Sequence, residues 1–202
     1  MLDLYLIRHG ETDYNRLRIV QGGGVDSDLN ETGIQQGVKF YQHYQHIQFD
    51  AIYASGLKRT HQTLAPFIQA GYSLKILPEL NEMGWGELEG QPFDEIRHQA
   101  FLEMNEVWEQ GNLDIAFPGG ESPKGVWARA SEGLNIIKNS HPSGKVLVCT
   151  HGRTLRIVLS MLTGKGLNRM NDFPHDNTGL NIITVTEQGY SVQKINSLDH
   201  LN

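Results

Sequence analysis

Short apolar runs alternate along this chain with stretches whose apolar residues recur every three or four positions. The first run, Leu2–Ile7, and a later one, Val146–Thr150, predict buried strands. Phe49–Ala54 and Ser73–Leu77 predict two more, and Leu180–Val185 and Tyr190–Ile195 a late pair across Glu187-Gln188-Gly189. Between them the spacing predicts a helix over 31–46, with Ile34, Val38, Tyr41 and Gln45 along one face. A second helix fits 57–70, opened by Ser55 as its N-cap, and a third fits Thr154–Leu162. Strand and helix in alternation is the pattern of an α/β domain. The stretch 83–125 interrupts it, being rich in glycine and acid with weaker helical signals. A segment of that length struggles to bury a core of its own. It reads as an insertion lying over the site of a single domain spanning residues 1–202.

Charge and composition narrow the class. Lys and Arg number 17 against 23 Asp and Glu, a net charge of −6. That excludes the basic footprint of a nucleic-acid binder. Apolar runs fall short of the ~18–20 residues of a membrane span. The opening MLDLYLIRHG lacks the basic n-region of a secretory leader. One cysteine, Cys149, supplies neither an internal disulfide nor a cysteine zinc cage. The expected setting is the cytoplasm, without membrane or nucleic-acid partners.

Two strand-like runs end in the same dipeptide: Leu4-Tyr5-Leu6-Ile7 leads through Arg8 into His9-Gly10, and Val146–Thr150 leads into His151-Gly152. In open α/β sheets ligands sit beyond the carboxyl ends of strands. The 49–54 strand delivers Ser55 and then Arg59, and the 73–77 strand leads to Glu82. Two His, two Arg and a Glu suit phosphoryl transfer. Guanidinium forks pair phosphate oxygens, a neutral imidazole attacks phosphorus, and a carboxyl group protonates the leaving alkoxide and then takes a proton from water.

The motifs in order resemble the histidine phosphatase superfamily, in its phosphoglycerate mutase-like branch. They are Leu6-Ile7-Arg8-His9-Gly10-Glu11-Thr12 with Asn15; Gln21-Gly22 followed by Asp26–Asn30 and Gly33; Ser55–Thr60 with Thr63; Leu80-Asn81-Glu82 with Gly86 and Glu89-Gly90; Pro118–Ser122; and Thr150-His151-Gly152. The resemblance implies a three-layer α/β/α sandwich with a mostly parallel sheet, and no metal or other cofactor. It implies His9 as the residue that becomes phosphorylated and Glu82 as general acid and base. Arg8, Arg59 and His151 would surround the phosphate, with Asn15 as a further donor and Gln21, Gly22 and Gly152 lining the substrate loop and pocket.

Other candidates have plainer readings. His43 and His46 lie three apart on a helix without a carboxylate or Cys at ligand spacing, and read as a solvated face. Cys149 reads as a small buried strand residue, and His61 as facing away from Arg59. Trp85, Trp108 and Trp127 read as packing, with Trp85 set apart because it stands three residues after Glu82.

Hydrolysis and mutase chemistry both fit the motifs. Between Gly84 and Ser122 the acids are Glu87, Glu89, Asp94, Glu95, Glu103, Glu106, Glu109, Asp114 and Glu121, against one cation, Arg97. Met83 follows Glu82 where the resembled cofactor-dependent mutases have Arg. An acidic cover disfavours a polyanion at its far end, so hydrolysis of a small phosphomonoester is expected, with phosphoglycerate mutase as the alternative. Leu80-Asn81-Glu82-Met83 is similar to the α-ribazole-phosphate phosphatases; broad-specificity and sugar-bisphosphatase relatives stay open. A non-catalytic phospho-ligand module is the remote alternative, since His9, Glu82 and His151 are all present. A homodimer is compatible with the sequence.

Overall fold

The computed structural model describes residues 1–92 and 94–202. Six strands form one sheet in the order β3-β2-β4-β1-β5-β6: β1 Leu2–Arg8, β2 Ala51–Ala54, β3 Leu74–Ile76, β4 Gly144–Thr150, β5 Leu180–Thr186 and β6 Gly189–Ser197. The four on one side, β3, β2, β4 and β1, run parallel, while β5 and β6 close the other side as an antiparallel hairpin. Strands β1, β2 and β4 are buried on both faces along most of their length, which is why Leu4–Ile7, Ala51–Ala54 and Val146–Cys149 read as apolar runs rather than alternation.

Helices cover both faces. On one, α6 (Pro123–Ser140) and α7 (Gly152–Leu162) bury Ala130, Leu134, Leu155 and Leu159 against Leu4, Leu6 and Val148. On the other, α2 (Glu31–Tyr44) and α4 (Ala65–Gln69) bury Phe40, Tyr44 and Phe67 against Tyr5, Ile7 and Leu147. The three-layer α/β/α sandwich with a mostly parallel sheet is thus present. Two short helices, α1 (Asp13–Arg16) and α3 (Lys58–Thr63), sit at the carboxyl end of the sheet.

Three local expectations change. The buried face of α2 is Gly33, Gly37, Phe40 and Tyr44, while Ile34 and Gln45 are exposed. Gly37 packs so closely that a Cβ there would lie 2.8 Å from the Thr63 carbonyl oxygen. Close glycine contact, invisible to hydrophobic periodicity, sets that face. The 57–70 helix is two helices, divided where Pro66 opens α4. Leu57, not Ser55, is the N-cap of α3, and no side chain caps it; the Ser55 hydroxyl is used elsewhere.

The stretch after Glu82 holds a 15-residue helix, α5 (Glu95–Glu109). Met83, Trp85, Leu88, Trp108 and Phe117 form a third apolar cluster with Ile157 of α7 and Leu167 and Met170. This cluster builds one wall of the site.

Candidate active site

The register of β1 against β4 places the chemistry. Arg8 lies opposite Thr150, so His9 and His151, each one residue further, emerge together at the carboxyl end of the sheet. The His9 N–H donates to the Thr150 carbonyl at 3.0 Å, and the two imidazoles are 5.2 Å apart, centroid to centroid. The turn after His9 needs glycine: a Cβ on Gly10 would sit 2.5 Å from the Gly33 carbonyl oxygen.

His9 is buried, and its Nδ1 lies 2.6 Å from the Gly10 carbonyl oxygen. A carbonyl only accepts, so Nδ1 carries the proton and Nε2 keeps its lone pair. Burial, then the neighbouring guanidinium groups of Arg8 and Arg59, push its pKa well below the ordinary value. His9 is therefore a neutral imidazole with a free nucleophilic nitrogen on the wall of a cavity of about 480 Å³.

Arg8 lines the same cavity. Its Nη1 donates to the His175 carbonyl at 2.8 Å, but its Nε is buried without a partner. Gly152 makes room for it. A Cβ there would come within 2.9 Å of the His175 ring and 3.4 Å of that Nε. A buried, unpartnered guanidinium N–H beside a neutral imidazole is a vacant donor for an anion.

Arg59 and His151 are wholly buried and form a layer behind His9. Arg59 Nε donates to His151 Nδ1 at 3.1 Å, and its other nitrogens reach the carbonyls of Val25 and Gly22. Gly22 thus meets Arg59 through its backbone and does not line the cavity. His151 Nε2 lies 2.7 Å from Ser55 Oγ, so both of its nitrogens are occupied.

Glu82 enters from the opposite side, under the N-terminus of α7. Its Oε1 accepts from the N–H groups of Met83 (2.9 Å) and Thr154 (3.0 Å) and from the Thr154 hydroxyl (3.1 Å). Its Oε2 accepts the Arg153 N–H at 3.0 Å. Unpaired N–H groups at a helix start favour a carboxylate there, and Oε2, with one donor, has capacity left for a proton. Arg129 of α6 fixes this segment by donating to the carbonyls of Glu79, Asn81 and Glu82 while pairing with Glu121 at 2.8 Å.

Asn15, in α1, and Gln21, in the loop after it, line the cavity. Asn15 also caps α1 and accepts from Asn177, whose amide holds the His9 carbonyl at 2.9 Å. Gln21 is buried between Thr12 and Ser27. The register and local packing thus bring His9, Arg8, Glu82, Asn15, Gln21 and Gly152 to one cavity, with Arg59 and His151 behind it.

Sequence reasoning missed several lining residues, Arg18, Arg153, Arg156, His175 and Asn177 among them. None of the nine acids counted between Gly84 and Ser122 lines the cavity; Glu89 and Glu121, for instance, are turned onto backbone N–H groups. The cavity's cations are Arg8, Arg18 and, from α7, Arg153 and Arg156. One signal was legible. Arg153 stands in the first turn of α7, where the helix dipole disfavours a cation. His175 and Asn177 arrive on a long connection, and no local pattern marks them.

Comparison with known proteins places this arrangement. A family model described as histidine phosphatase superfamily (branch 1) matches residues 4–198. The chain is 29% identical over 203 residues to "Phosphoserine phosphatase 1" of Hydrogenobacter thermophilus, covering 100% of this chain and 95% of that protein. It is 33% identical over 169 residues to "Probable phosphoglycerate mutase GpmB" of Yersinia pestis, covering 81% and 76%. Among solved structures, Bacillus stearothermophilus YhfR superposes with a TM-score of 0.87 at 29% identity, each chain covered completely. The chain belongs to the histidine phosphatase superfamily, and is a phosphomonoester hydrolase of the phosphohistidine type.

Proposed function

We propose that His9 is the residue that carries the phosphoryl group, and that Glu82 serves as acid and then base, on a small cytoplasmic phosphomonoester. The observation that carries this reading is the pairing of a neutral His9, its Nδ1 tied to Gly10, with the unpartnered Nε of Arg8. The ester phosphate sits on Arg8, with Arg59 adding positive charge from behind. His9 Nε2 attacks phosphorus in line as the ester P–O bond breaks. Glu82 gives its proton to the departing alkoxide. Water then attacks the phosphohistidine, Glu82 takes a proton from it, the N–P bond breaks, and phosphate leaves. No step calls for a metal. His151 holds Arg59 by accepting its Nε–H, and Asn177 holds the His9 backbone.

O-phosphoserine is the substrate to try first, because a relative matching the whole chain bears the name phosphoserine phosphatase. The net charge of −6 and the single cysteine support a cytoplasmic protein without nucleic-acid partners. The mutase reading keeps one observation in its favour, the cations Arg18, Arg153 and Arg156 on the cavity wall. Incubation with a radiolabelled phosphomonoester, quenched early, should give an acid-labile, base-stable label on the protein, and His9→Ala should abolish it. Label persisting in His9→Ala would assign the nucleophile elsewhere. Mutase kcat/KM above phosphatase kcat/KM on the same sample would reverse the order of the two activities.

A further inference from the structure

Arg153 is placed at a threefold disadvantage. It is buried, it stands in the first turn of α7 against the helix dipole, and among the described residues no carboxylate pairs with its guanidinium. Its Nη1 donates to Asn171 Oδ1 at 2.8 Å and its Nη2 to Asn105 Oδ1 at 3.0 Å. Those amides orient the group without neutralising it, and they use two of its five N–H donors. The rings of Trp85, Trp108 and Phe101 surround it at 5.2, 5.4 and 5.7 Å. Aromatic faces stabilise a desolvated cation while leaving its charge available.

The same residue lines the cavity that holds His9 and Arg8. Its own N–H is on Glu82 and its neighbour Gly152 is against Arg8, so it stands one residue beyond the phosphate end. Arg156 and the exposed Arg18 line the cavity too, but neither is buried as Arg153 is, and Arg156 places its Nε and Nη2 on the carbonyls of Met170 and Asn171. The charge is felt locally: burial and the guanidinium groups of Arg8, Arg156 and Arg153 push His175 down to about 3. On the acidic side the cavity wall carries Glu11 and Glu82, and Glu82 is committed to the helix N-terminus.

We propose that Arg153 is the specificity-determining residue of this site, receiving a second, non-reacting anionic group of the substrate, a carboxylate, while Arg8 holds the phosphate. This rests on the assignment of the cavity as the phosphomonoesterase site. It makes carboxylate-bearing phosphomonoesters the preferred substrates. The preference resides in α7 and not in the insertion, whose contribution is the aromatic and amide frame that keeps the guanidinium in place.

The test compares pairs that differ only at the carboxylate: O-phosphoserine against O-phosphoethanolamine, and 3-phosphoglycerate against glycerol 3-phosphate. In the wild-type enzyme the carboxylate member should have the higher kcat/KM by about 10–100-fold, the worth of one buried charge-assisted contact. In Arg153→Gln that ratio should collapse toward one, chiefly through KM. Should Arg153→Gln fail to fold, Asn105→Asp serves instead, because it sets a carboxylate on the Arg153 guanidinium and should likewise raise KM only for the carboxylate member. A wild-type ratio near one would overturn the proposal, as would an equal loss on both members of each pair, which would make Arg153 a packing residue. Failure of the underlying assignment looks different: no phosphomonoester is then turned over, or His9→Ala keeps its label.

Discussion

Arg59 Nε lies 3.1 Å from Nδ1 of His151, and that contact fixes the tautomer of the second histidine. A guanidinium only donates, so Nδ1 is the acceptor and Nε2 carries the proton, which points to Ser55 Oγ at 2.7 Å. Ser55, buried and also bonded to Thr60, therefore positions the pair behind His9 without touching substrate. Ser55→Ala would leave a buried N–H unsatisfied at about 1–3 kcal/mol. We expect a lower unfolding midpoint in urea and a kcat reduced about tenfold with KM nearly unchanged. A KM that rose in step with the fall in kcat would mean that Ser55 shapes the substrate cavity instead.

Gly152 offers a case where local propensity and site geometry oppose each other. Alanine is worth about 1 kcal/mol over glycine within a helix, and Gly152 is the first residue of α7. Yet the added Cβ would press on the His175 ring at 2.9 Å and on Arg8 Nε at 3.4 Å. Gly152→Ala should thus leave thermal stability level or somewhat lower, the crowding offsetting any helical gain, while lowering kcat/KM by about 10–100-fold, because a small displacement of a preorganised group is costly to catalysis. Steady-state kinetics beside a thermal melt would show it, and wild-type kcat/KM in the variant would detach Gly152 from the phosphate site.

Much of this was legible because β-strands buried on both faces announce themselves. Leu4–Ile7 and Val146–Cys149 are continuous apolar runs, and each leads into a chemically loaded dipeptide. Parallel pairing in matched register then suffices to bring His9 to His151. The expected sheet residues agree with the observed strands to within one or two positions at most ends. The buried face of α2 was misread because half of it, Gly33 and Gly37, carries no hydrophobic signal and left Phe40 and Tyr44 without a longer apolar stripe. The polarity of the cavity was misread too. Counting charges along residues 84–122 treats every acid as facing the site, whereas Glu89 and Glu121 bond backbone N–H groups. The cations that do face it are Arg8, Arg18 and, from α7, Arg153 and Arg156, and α7 reads in sequence as an ordinary amphipathic helix.

The buried histidines set how stability depends on pH. His9 and His151 are pushed well below the ordinary value, and His175 and His200 down to about 3 and about 4, each first by burial. In the unfolded chain each titrates near 6.5. Below about pH 6.5 the unfolded state therefore binds protons that the folded state refuses, and stability falls as pH falls. The loss approaches ~1.4 kcal/mol per pH unit for each such histidine. For His200 it accumulates from about 6.5 down to about 4. Its Nε2 bonds the Thr178 hydroxyl at 2.9 Å, and its Nδ1 is buried without a partner. Urea unfolding between pH 7 and 5 should show the decline, and His200→Gln should make its slope shallower by about one proton. A slope unchanged in that variant would mean that His200 is already charged in the folded protein.

Glu82→Gln separates the two roles assigned to that carboxylate. Gln can keep an oxygen at the Oε1 position, where three donors converge, but its amide then meets the Arg153 N–H donor to donor. That mismatch, about 1–3 kcal/mol, weighs on every substrate alike. The loss of the proton does not. An alkoxide cannot leave without one, whereas p-nitrophenolate, a far weaker base, scarcely needs it. In single-turnover measurements, phosphorylation of His9 from an alkyl phosphate should slow by about 10²–10³-fold beyond any loss seen with p-nitrophenyl phosphate, within the usual reach of general acid catalysis. Hydrolysis of the phosphohistidine should slow equally after either substrate, since the base that activates water is missing in both. The ratio of the two phosphorylation rates is thus the informative quantity, because the packing defect cancels from it. If the ratio matches that of the wild-type enzyme, the leaving group takes its proton from elsewhere, and Glu11, the other carboxylate on the cavity wall, becomes the residue to substitute next.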